Sequence, residues 1–570
     1  MPARALELSA DTASLSPTET ARSQGLLDDA MRRLPLRWSQ ALGDVRVEWR
    51  DDLPANVEGR AYGNGASGRI LLQRTLLAAG VEDRPALAAI LHELAHLYDR
   101  SAAGGLSRDP RLLALAGWED APLRPWRTRN AFTDRSPDRY ELTDPVEYVA
   151  VNLEHFLLDA DYACRRPALS RLFVARFDTP PPSVACAPGL PFMQATVDGG
   201  EPLLAIDPAR VYAVDYLLAE GNAEPMSRWG HAMLRLVLCA PGHAPGPECR
   251  LDLAYHQVLS FRAFVDDVQI SSWRGLTGSY PSRLFVLPLA QVVDEYTKVE
   301  LRGLRSIPLR LSRDEIASLL QRAALVHWSY DGRYRFVGNN CAVETARLLQ
   351  DGVPRLGSVH LMSVTPNGLL RRLERAGVAD APAVPTDPAE AMRLGYYFEP
   401  MSARYQAMYE VARVALGLPG HRFEDWFAQS PQSRASAIPD ADLRGAAALL
   451  VLEEAVLRRQ ELQARDTLKH RIPDAGRDAT KGLLQLEDTL TRPALLVPGN
   501  GYGIPQAGER NAVAADAAAL AERMRRRRDA LLAEAREWLP APQREALAAT
   551  EANVAAIGAR LRQLAAPRAR

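Results

Sequence analysis

Residues 92–96 read His-Glu-Leu-Ala-His, and this motif constrains the fold more than any other feature of the chain. It lies in a run of strong helix formers opened by Pro85, a residue that suits the first turn of a helix. A spacing of four residues puts His92 and His96 on one helix face, where both imidazoles can bind a single zinc ion. Glu93 is then placed to polarise a water molecule at the metal. The motif therefore predicts a helix that carries a catalytic zinc site.

A catalytic zinc site needs a third protein ligand, and a second predicted helix offers candidates. This helix begins near Asp144 and Pro145, a capping residue followed by a proline. Glu147 and Glu154 share one of its faces because they are seven residues apart. His155 competes as a ligand, but helix geometry turns it about 80–100° away from that face.

The stretch from Glu147 to Ala150 resembles the third-ligand helix of gluzincin metallopeptidases related to the lethal-factor and MtfA-like families. The resemblance implies that Glu147 is the third ligand and that Glu154 supports it. It also implies an oxyanion-stabilising tyrosine seven residues before the ligand, where Tyr140 stands. Tyr148-Val149 stands where those families favour two phenylalanines, a departure in packing rather than in chemistry.

A second candidate site pairs Cys341 with His231. Asn340 is a good N-cap, so we expect Cys341 in the first turn of a helix. There the helix dipole and free backbone N–H groups lower a thiol's pKa and can hold an oxyanion. His231 begins a predicted strand and can serve as the general base.

The third member of this second site is left open by the sequence. His256 and Asp252 share a face of a strand predicted over residues 249–261, and either is a candidate to orient His231.

The segments around the Cys–His pair resemble the Lnb N-terminal periplasmic domain family, a domain of uncertain function. The resemblance covers roughly residues 205–360 and rests on WGHAMLRL, SFRAFVDD, WRGLTGSYPSRLFVLPL, EYTKVELRGL and GNNCAVETARLL. A histidine that precedes the cysteine is also the order found in circularly permuted, papain-like NlpC enzymes. The resemblance therefore implies a permuted papain-like domain in a bacterial envelope protein.

The chain contains five cysteines, an odd number, and their oxidation state would indicate the cellular compartment of the protein. If Cys341 is a nucleophile, the other four form the local pairs Cys164–Cys186 and Cys239–Cys249. Two disulfides would place the protein in an oxidising envelope compartment, whereas five free thiols would place it in the cytosol. The first thirty residues contain no secretory signal, so a cytoplasmic location stays open.

These observations predict an α+β multidomain protein. We expect a disordered segment at 1–20, a zincin-like α/β metallopeptidase domain at 21–200, and a permuted papain-like, mainly-β/α domain at 205–360. An all-α C-terminal region with a loop insertion near 472–512 completes the chain at 361–570. A formal net charge of -1 indicates no nucleic-acid partner. No apolar run approaches the roughly 20 residues that span a bilayer.

The predicted function is a bacterial envelope hydrolase with a zinc cofactor, acting on peptide or peptidoglycan amide bonds. Zinc with Glu93 and Tyr140 forms one site, and Cys341 with His231, and with His256 as a candidate third member, forms the second. One alternative is a non-enzymatic envelope scaffold with degenerate sites, in which the helical C-terminal region binds a protein partner. Another is a cysteine-dependent enzyme that processes acyl groups or lipids.

Overall fold

The computed structural model describes residues 6–54, 56–118, 129–180, 182–194, 203–221, 228–263, 280–335, 338–475, 492–497 and 501–565. Over these residues the protein is a mixed α/β, multidomain structure, as predicted at that level. Residues 264–279 lie outside the described residues and contain parts of two segments that carry the Lnb resemblance. Residues 476–491 and 498–500, which belong to the predicted insertion, also lie outside them.

The N-terminal domain packs helices against a four-stranded sheet with the strand order β1-β2-β4-β3. Strands β1, β2 and β4 run parallel, and the edge strand β3 is antiparallel to β4. The elements are β1 (Glu7–Asp11), α1 (Pro17–Arg33), α2 (Leu36–Ala41), β2 (Asp44–Arg50), β3 (Gly59–Gly63), β4 (Ser67–Gln73), α3 (Asp83–Arg100), α4 (Pro110–Ala116), α5 (Pro145–Leu158), α6 (Tyr162–Arg165) and α7 (Pro167–Phe177).

The N-terminus differs from the prediction of a disordered segment over residues 1–20. Strand β1 pairs with β2 in parallel register, from Glu7 opposite Asp44 to Asp11 opposite Glu48. The Ser16 hydroxyl and the Glu19 carboxylate then form a capping box at the start of α1. A polar five-residue strand forms here because the neighbouring strand supplies its hydrogen bonds, which composition does not reveal.

The second domain is built on a seven-stranded antiparallel sheet with the order β12-β10-β9-β8-β7-β11-β13. A two-stranded sheet of β5 and β6 precedes it. The elements are β5 (Leu190–Met193), β6 (Leu203–Ile206), β7 (Val211–Ala219), β8 (His231–Leu238), β9 (Gln257–Ala263), β10 (Tyr280–Pro288), α8 (Leu289–Val293), β11 (Leu304–Pro308), α9 (Arg313–Ser329), β12 (Gly332–Tyr334), α10 (Cys341–Gly352), α11 (Pro366–Arg375), α12 (Pro388–Arg393) and β13 (Tyr397–Phe398).

Two boundaries of this domain differ from the sequence prediction. The strand predicted over residues 249–261 begins only at Gln257, because short 3-10 turns occupy Pro247–Leu251 and Leu253–Tyr255. The domain also continues past residue 360. Helix α11 shares the core of the large sheet, and β13 pairs with β11.

The C-terminal region is helical from residue 401 over the residues described there, whereas the all-α prediction began at residue 361 and so included strand β13. Its core includes Tyr409, Trp426 and Leu449, and a buried ion pair joins Arg434 to Glu453 at 2.5 Å. The helices are α13 (Met401–Leu416), α14 (Phe423–Phe427), α15 (Pro431–Ala435), α16 (Leu443–Ala475), α17 (Ala507–Trp538) and α18 (Ala541–Ala565).

One stretch of the C-terminal region returns to the N-terminal domain. Tyr502 donates a hydrogen bond to Asp159 at 2.6 Å, and Glu509 accepts from Arg135 at 2.6 Å and from Arg165 at 2.8 Å. We call residues 501–509 the C-terminal strap. The strap packs against the first domain, and Tyr502 belongs to that domain's hydrophobic core.

The cysteines pair as predicted. Disulfides join Cys164 to Cys186 and Cys239 to Cys249, and Cys341 is free and buried. Among the described residues, no helix is long and apolar enough to cross a bilayer.

Candidate metal centre

Helices α3 and α5 position the side chains of the predicted zinc site. Helix α3 is buried along most of its length, and its buried residues include Glu93 and His96. The side chain of Asp144 caps α5 by accepting hydrogen bonds from the backbone N–H groups of Val146 and Glu147. This cap fixes the first turn of α5, so the Glu147 carboxylate faces the two histidines of α3.

The structure brings His92, His96 and Glu147 into a triangle of potential ligand atoms. The two histidine Nε2 atoms are 3.2 Å apart, and they lie 3.3 Å and 3.2 Å from Oε2 of Glu147. A tetrahedral zinc ion with bonds of about 2.0–2.1 Å holds its ligand atoms about 3.3–3.4 Å from one another. The three residues therefore fit a zinc ion in both donor type and spacing.

The Nδ1 atoms of His92 and His96, which are not part of the triangle, have different surroundings. Nδ1 of His92 lies 3.5 Å from Oε2 of Glu154, so this carboxylate can orient the ring, as predicted for a supporting group. Nδ1 of His96 is buried without a hydrogen-bond partner. The carboxylate of Asp99, three residues after His96, accepts hydrogen bonds from the backbone N–H and hydroxyl groups of Ser107.

Charges in this cluster shift the pKa values of its members. Burial lowers the pKa of His92, but hydrogen bonds to Glu147 and Glu154 outweigh burial and raise it to about 10. Burial raises the pKa of Glu147, but its contacts with the two histidines hold it well below its usual range. Two imidazole nitrogens and a carboxylate oxygen face one another closely enough to bind one cation together.

Glu93 lies beside the triangle in a confined space. Its side chain is buried, its Oε2 atom has no hydrogen-bond partner, and burial raises the pKa of its carboxyl group. Gly59 on strand β3 makes this space, since a Cβ atom there would stand 2.7 Å from Oε1 of Glu93 and 2.8 Å from Cγ. A free, desolvated carboxylate of raised pKa is suited to proton transfer.

Tyr140 stands on the open side of the site. Its ring centroid lies 6.3 Å from that of His92, and the residue is 50% exposed. Burial and the neighbouring Glu147 raise the pKa of its hydroxyl group. The hydroxyl is therefore protonated at neutral pH and able to donate a hydrogen bond.

A buried network that sequence reasoning missed connects the Tyr140 turn to α5. Glu141, which is fully buried, accepts two hydrogen bonds from Arg166 at 2.7 and 2.8 Å and one from Asn152 at 3.0 Å. This network fixes the turn Arg139–Leu142 against the helix that carries Glu147. Gly59 was missed as well. A glycine inside a strand commonly marks a close approach of another group, but no strand was predicted around this residue.

The structure does not bring together the predicted pair of Cys341 and His231. Along β8, Ala232 and Leu234 face the core that contains Cys341. His231 points to the opposite face of the sheet, because side chains alternate along a strand, and there its ring stacks on Tyr296 at 6.2 Å.

The environments of Cys341 and His231 also differ from the expected ones. Asn340 caps α10 as predicted, but burial raises the pKa of Cys341 and outweighs the hydrogen bonds that act to lower it. Nε2 of His231 lies 3.1 Å from the hydroxyl of Ser260. Burial, together with the charges of Arg262 and Arg302, lowers the pKa of His231 to about 3.

Neither candidate for the third member contacts His231. His256 accepts a hydrogen bond from Arg235 at Nδ1 and donates from Nε2 to the carbonyl of Cys249. Asp252 accepts a hydrogen bond from the backbone of Ala240 and lies 3.0 Å from His243. Both side chains serve the loop that closes with the Cys239–Cys249 disulfide.

Comparisons with known protein families divide the chain at the same place as its fold. Residues 7–105 and 102–186 match a family described as a domain of unknown function (DUF7844). Residues 202–376 match the Lnb N-terminal periplasmic domain family, as the sequence motifs predicted. Neither the curated proteins nor the solved structures contain a match. The second family match, like the two disulfides, supports a bacterial envelope-associated protein.

Proposed function

We propose that the protein is a zinc-dependent hydrolase of the bacterial cell envelope that cleaves amide bonds of peptides or of peptidoglycan peptides. One observation carries the proposal: three potential ligand atoms of His92, His96 and Glu147 stand 3.2–3.3 Å apart. The neighbouring side chains supply what a hydrolase needs beyond its metal ligands.

Each residue has a distinct role in the proposed reaction. When bound, zinc would supply Lewis-acid polarisation of the scissile carbonyl group. Glu93 accepts a proton at Oε2 from the attacking water, and its raised pKa lets it pass that proton to the leaving amine. The Tyr140 hydroxyl donates a hydrogen bond to the oxyanion that forms at the former carbonyl. Glu154 holds the imidazole of His92 in position through Nδ1.

The position of β3 favours an extended peptide as the substrate. This strand is at the edge of its sheet and runs past Glu93, with Gly59 in contact range of the carboxylate. An edge strand can bind an extended peptide through main-chain hydrogen bonds. Arg100 already donates a hydrogen bond to the carbonyl of Ala61, so the part of the edge that remains for a peptide is the part nearest Glu93.

Metal content and peptidase activity of the purified full chain test the proposal. We expect about one zinc per chain and cleavage of a fluorogenic casein or a peptidoglycan stem peptide. His92→Ala should remove both zinc and activity, whereas Glu93→Gln should keep zinc and remove activity. His243→Ala is the matched control, because its side chain is 58% exposed and lies outside the site.

Two results would contradict the proposal. Zinc content that does not depend on His92 would exclude this metal site. A loaded protein with no activity on any peptide or peptidoglycan substrate, and with unchanged behaviour in Glu93→Gln, would favour the scaffold alternative.

A further inference from the structure

A cavity of about 510 Å³ lies between the two domains, away from the metal centre. Its walls come from α4 and residues 117–118 and 131–132 of the first domain and from α9, α10 and neighbouring residues of the second. The volume is within the range of about 300–1,000 Å³ that small-molecule sites occupy. The cavity is separate from the His92 site, whose residues are not among those that line it.

Aromatic and aliphatic side chains make most of the wall. The lining includes Trp118, Phe132, Phe261 and Tyr330. The Tyr330 ring makes edge contacts with Phe132 at 5.8 Å and with Phe261 at 6.2 Å, which keeps these rings in fixed positions. A rigid aromatic lining of this kind favours the apolar body of a ligand over water.

The charged groups of the lining leave one positive charge in excess. Three arginines line the cavity with two carboxylates, so three positive charges minus two negative charges leave one. The carboxylate of Asp351 serves both Arg111, at 3.0 Å, and Arg322, at 2.6 Å. Arg347 lies 4.0 Å from Glu344, at the limit of an ion pair, and its side chain is 44% exposed. Because Asp351 is shared, the excess charge lies with Arg111 and Arg322, whose guanidinium groups also donate to backbone carbonyl groups. Arg347 donates to a side-chain amide oxygen at 2.7 Å, and it is the most exposed of the three arginines, at 44% against 34% and 3%. Arg347 is therefore the guanidinium group of the lining that a ligand can reach.

We propose that this cavity binds a monocarboxylate with an apolar body, whose carboxylate pairs with Arg347 and whose body contacts the aromatic wall. A guanidinium group suits a carboxylate because it can donate two parallel hydrogen bonds. A cationic or neutral ligand of equal length gains no such pairing.

Calorimetric titration of the full chain with sodium decanoate, below its micelle concentration, tests the proposal. We expect saturable binding to one site per chain, weaker binding of decanol, and no binding of decyltrimethylammonium. Ala114→Trp should abolish decanoate binding, because Ala114 is exposed on α4 and lines the cavity, where an indole would fill the space. Arg347→Ala should weaken it about tenfold through loss of a charge-assisted hydrogen bond.

Two matched controls separate the cavity from the rest of the surface. Ala175→Trp places the same indole on an exposed position of α7, and Arg371→Ala removes an exposed arginine of α11, and neither residue lines the cavity. Both controls should bind decanoate as the unaltered protein does. Absence of saturable binding, equal binding of decyltrimethylammonium, or unchanged binding in Arg347→Ala would each overturn the proposal. If Ala114→Trp fails to fold, Arg347→Ala with its control decides the matter.

Discussion

Replacing Gly59 with alanine probes the general base without touching a metal ligand. A Cβ atom at this position would stand 2.7 Å from Oε1 of Glu93, 2.8 Å from Cγ and 2.9 Å from Cδ2 of Leu72. Because non-bonded heavy atoms sit roughly 3.5–4.0 Å apart at their best separation, the carboxylate must move by about 0.7 Å or more. A catalytic group displaced by more than about 0.5 Å loses much of its effect. We therefore expect Gly59→Ala to lower kcat/KM by roughly ten- to a hundredfold.

Zinc content, thermal stability and peptidase kinetics of this variant, measured together, make the test specific. The ligands lie on α3 and α5, so Gly59→Ala should keep its zinc. Gly25→Ala is the matched control, because a Cβ atom at this position of α1 meets nothing within 4 Å. The control should be fully active and, as a helix substitution, more stable by about 0.5–1 kcal/mol. Full activity of Gly59→Ala would refute the assignment of Glu93 as the base that this gap accommodates.

Three further outcomes are expected. Glu154→Gln should weaken zinc binding by about 10–100-fold in competition with a chelator, since it removes the carboxylate beside Nδ1 of His92; equal affinity would exclude a supporting role. The free energy of unfolding should fall as the pH falls from about 6.5 to 4, by about 1.4 kcal/mol per pH unit for each of His256 and His327, whose pKa values burial lowers to about 4. The unfolded chain takes up these protons at a higher pH than the folded chain does, so the urea midpoint should fall as the pH falls. A urea midpoint that does not change over this range would contradict the prediction. Cys341 should react with iodoacetamide far more slowly in the native protein than in denaturant, because the thiol is buried and its pKa is raised; equal rates would restore the nucleophile hypothesis.

Local sequence signals predicted the elements that hold the candidate metal centre. The caps at Asp144 and Asn340 gave the starts of α5 and α10, because a side chain that satisfies free N–H groups acts within its own turn. The spacing of the HExxH motif likewise placed two imidazoles on one face. The odd cysteine count led to the two disulfides that the structure has.

Features that depend on distant partners were not predictable in this way. His231 and Cys341 looked like a pair in the sequence, but they lie on opposite faces of the sheet. The face on which Cys341 lies is set by where α10 packs, which the local sequence does not show. Strand β1 exists because β2 pairs with it, and Gly59 matters because α3 brings Glu93 to it. Pairing and packing over long sequence distances set these features, and no local pattern encodes them.

The C-terminal strap has a consequence for synthesis of the chain. Arg165 and Glu509 form an ion pair although 344 positions separate them in the sequence. At a translation rate of roughly 5–20 residues per second, about 20–70 seconds pass between the two residues. During that interval the nascent first domain lacks Glu509, which pairs with Arg135 and, beside Asp161, with Arg165. It also lacks the Tyr502 ring that covers Arg166. Completion of the first domain therefore awaits synthesis of the C-terminal strap, whose Glu509 follows Arg165 by 344 positions.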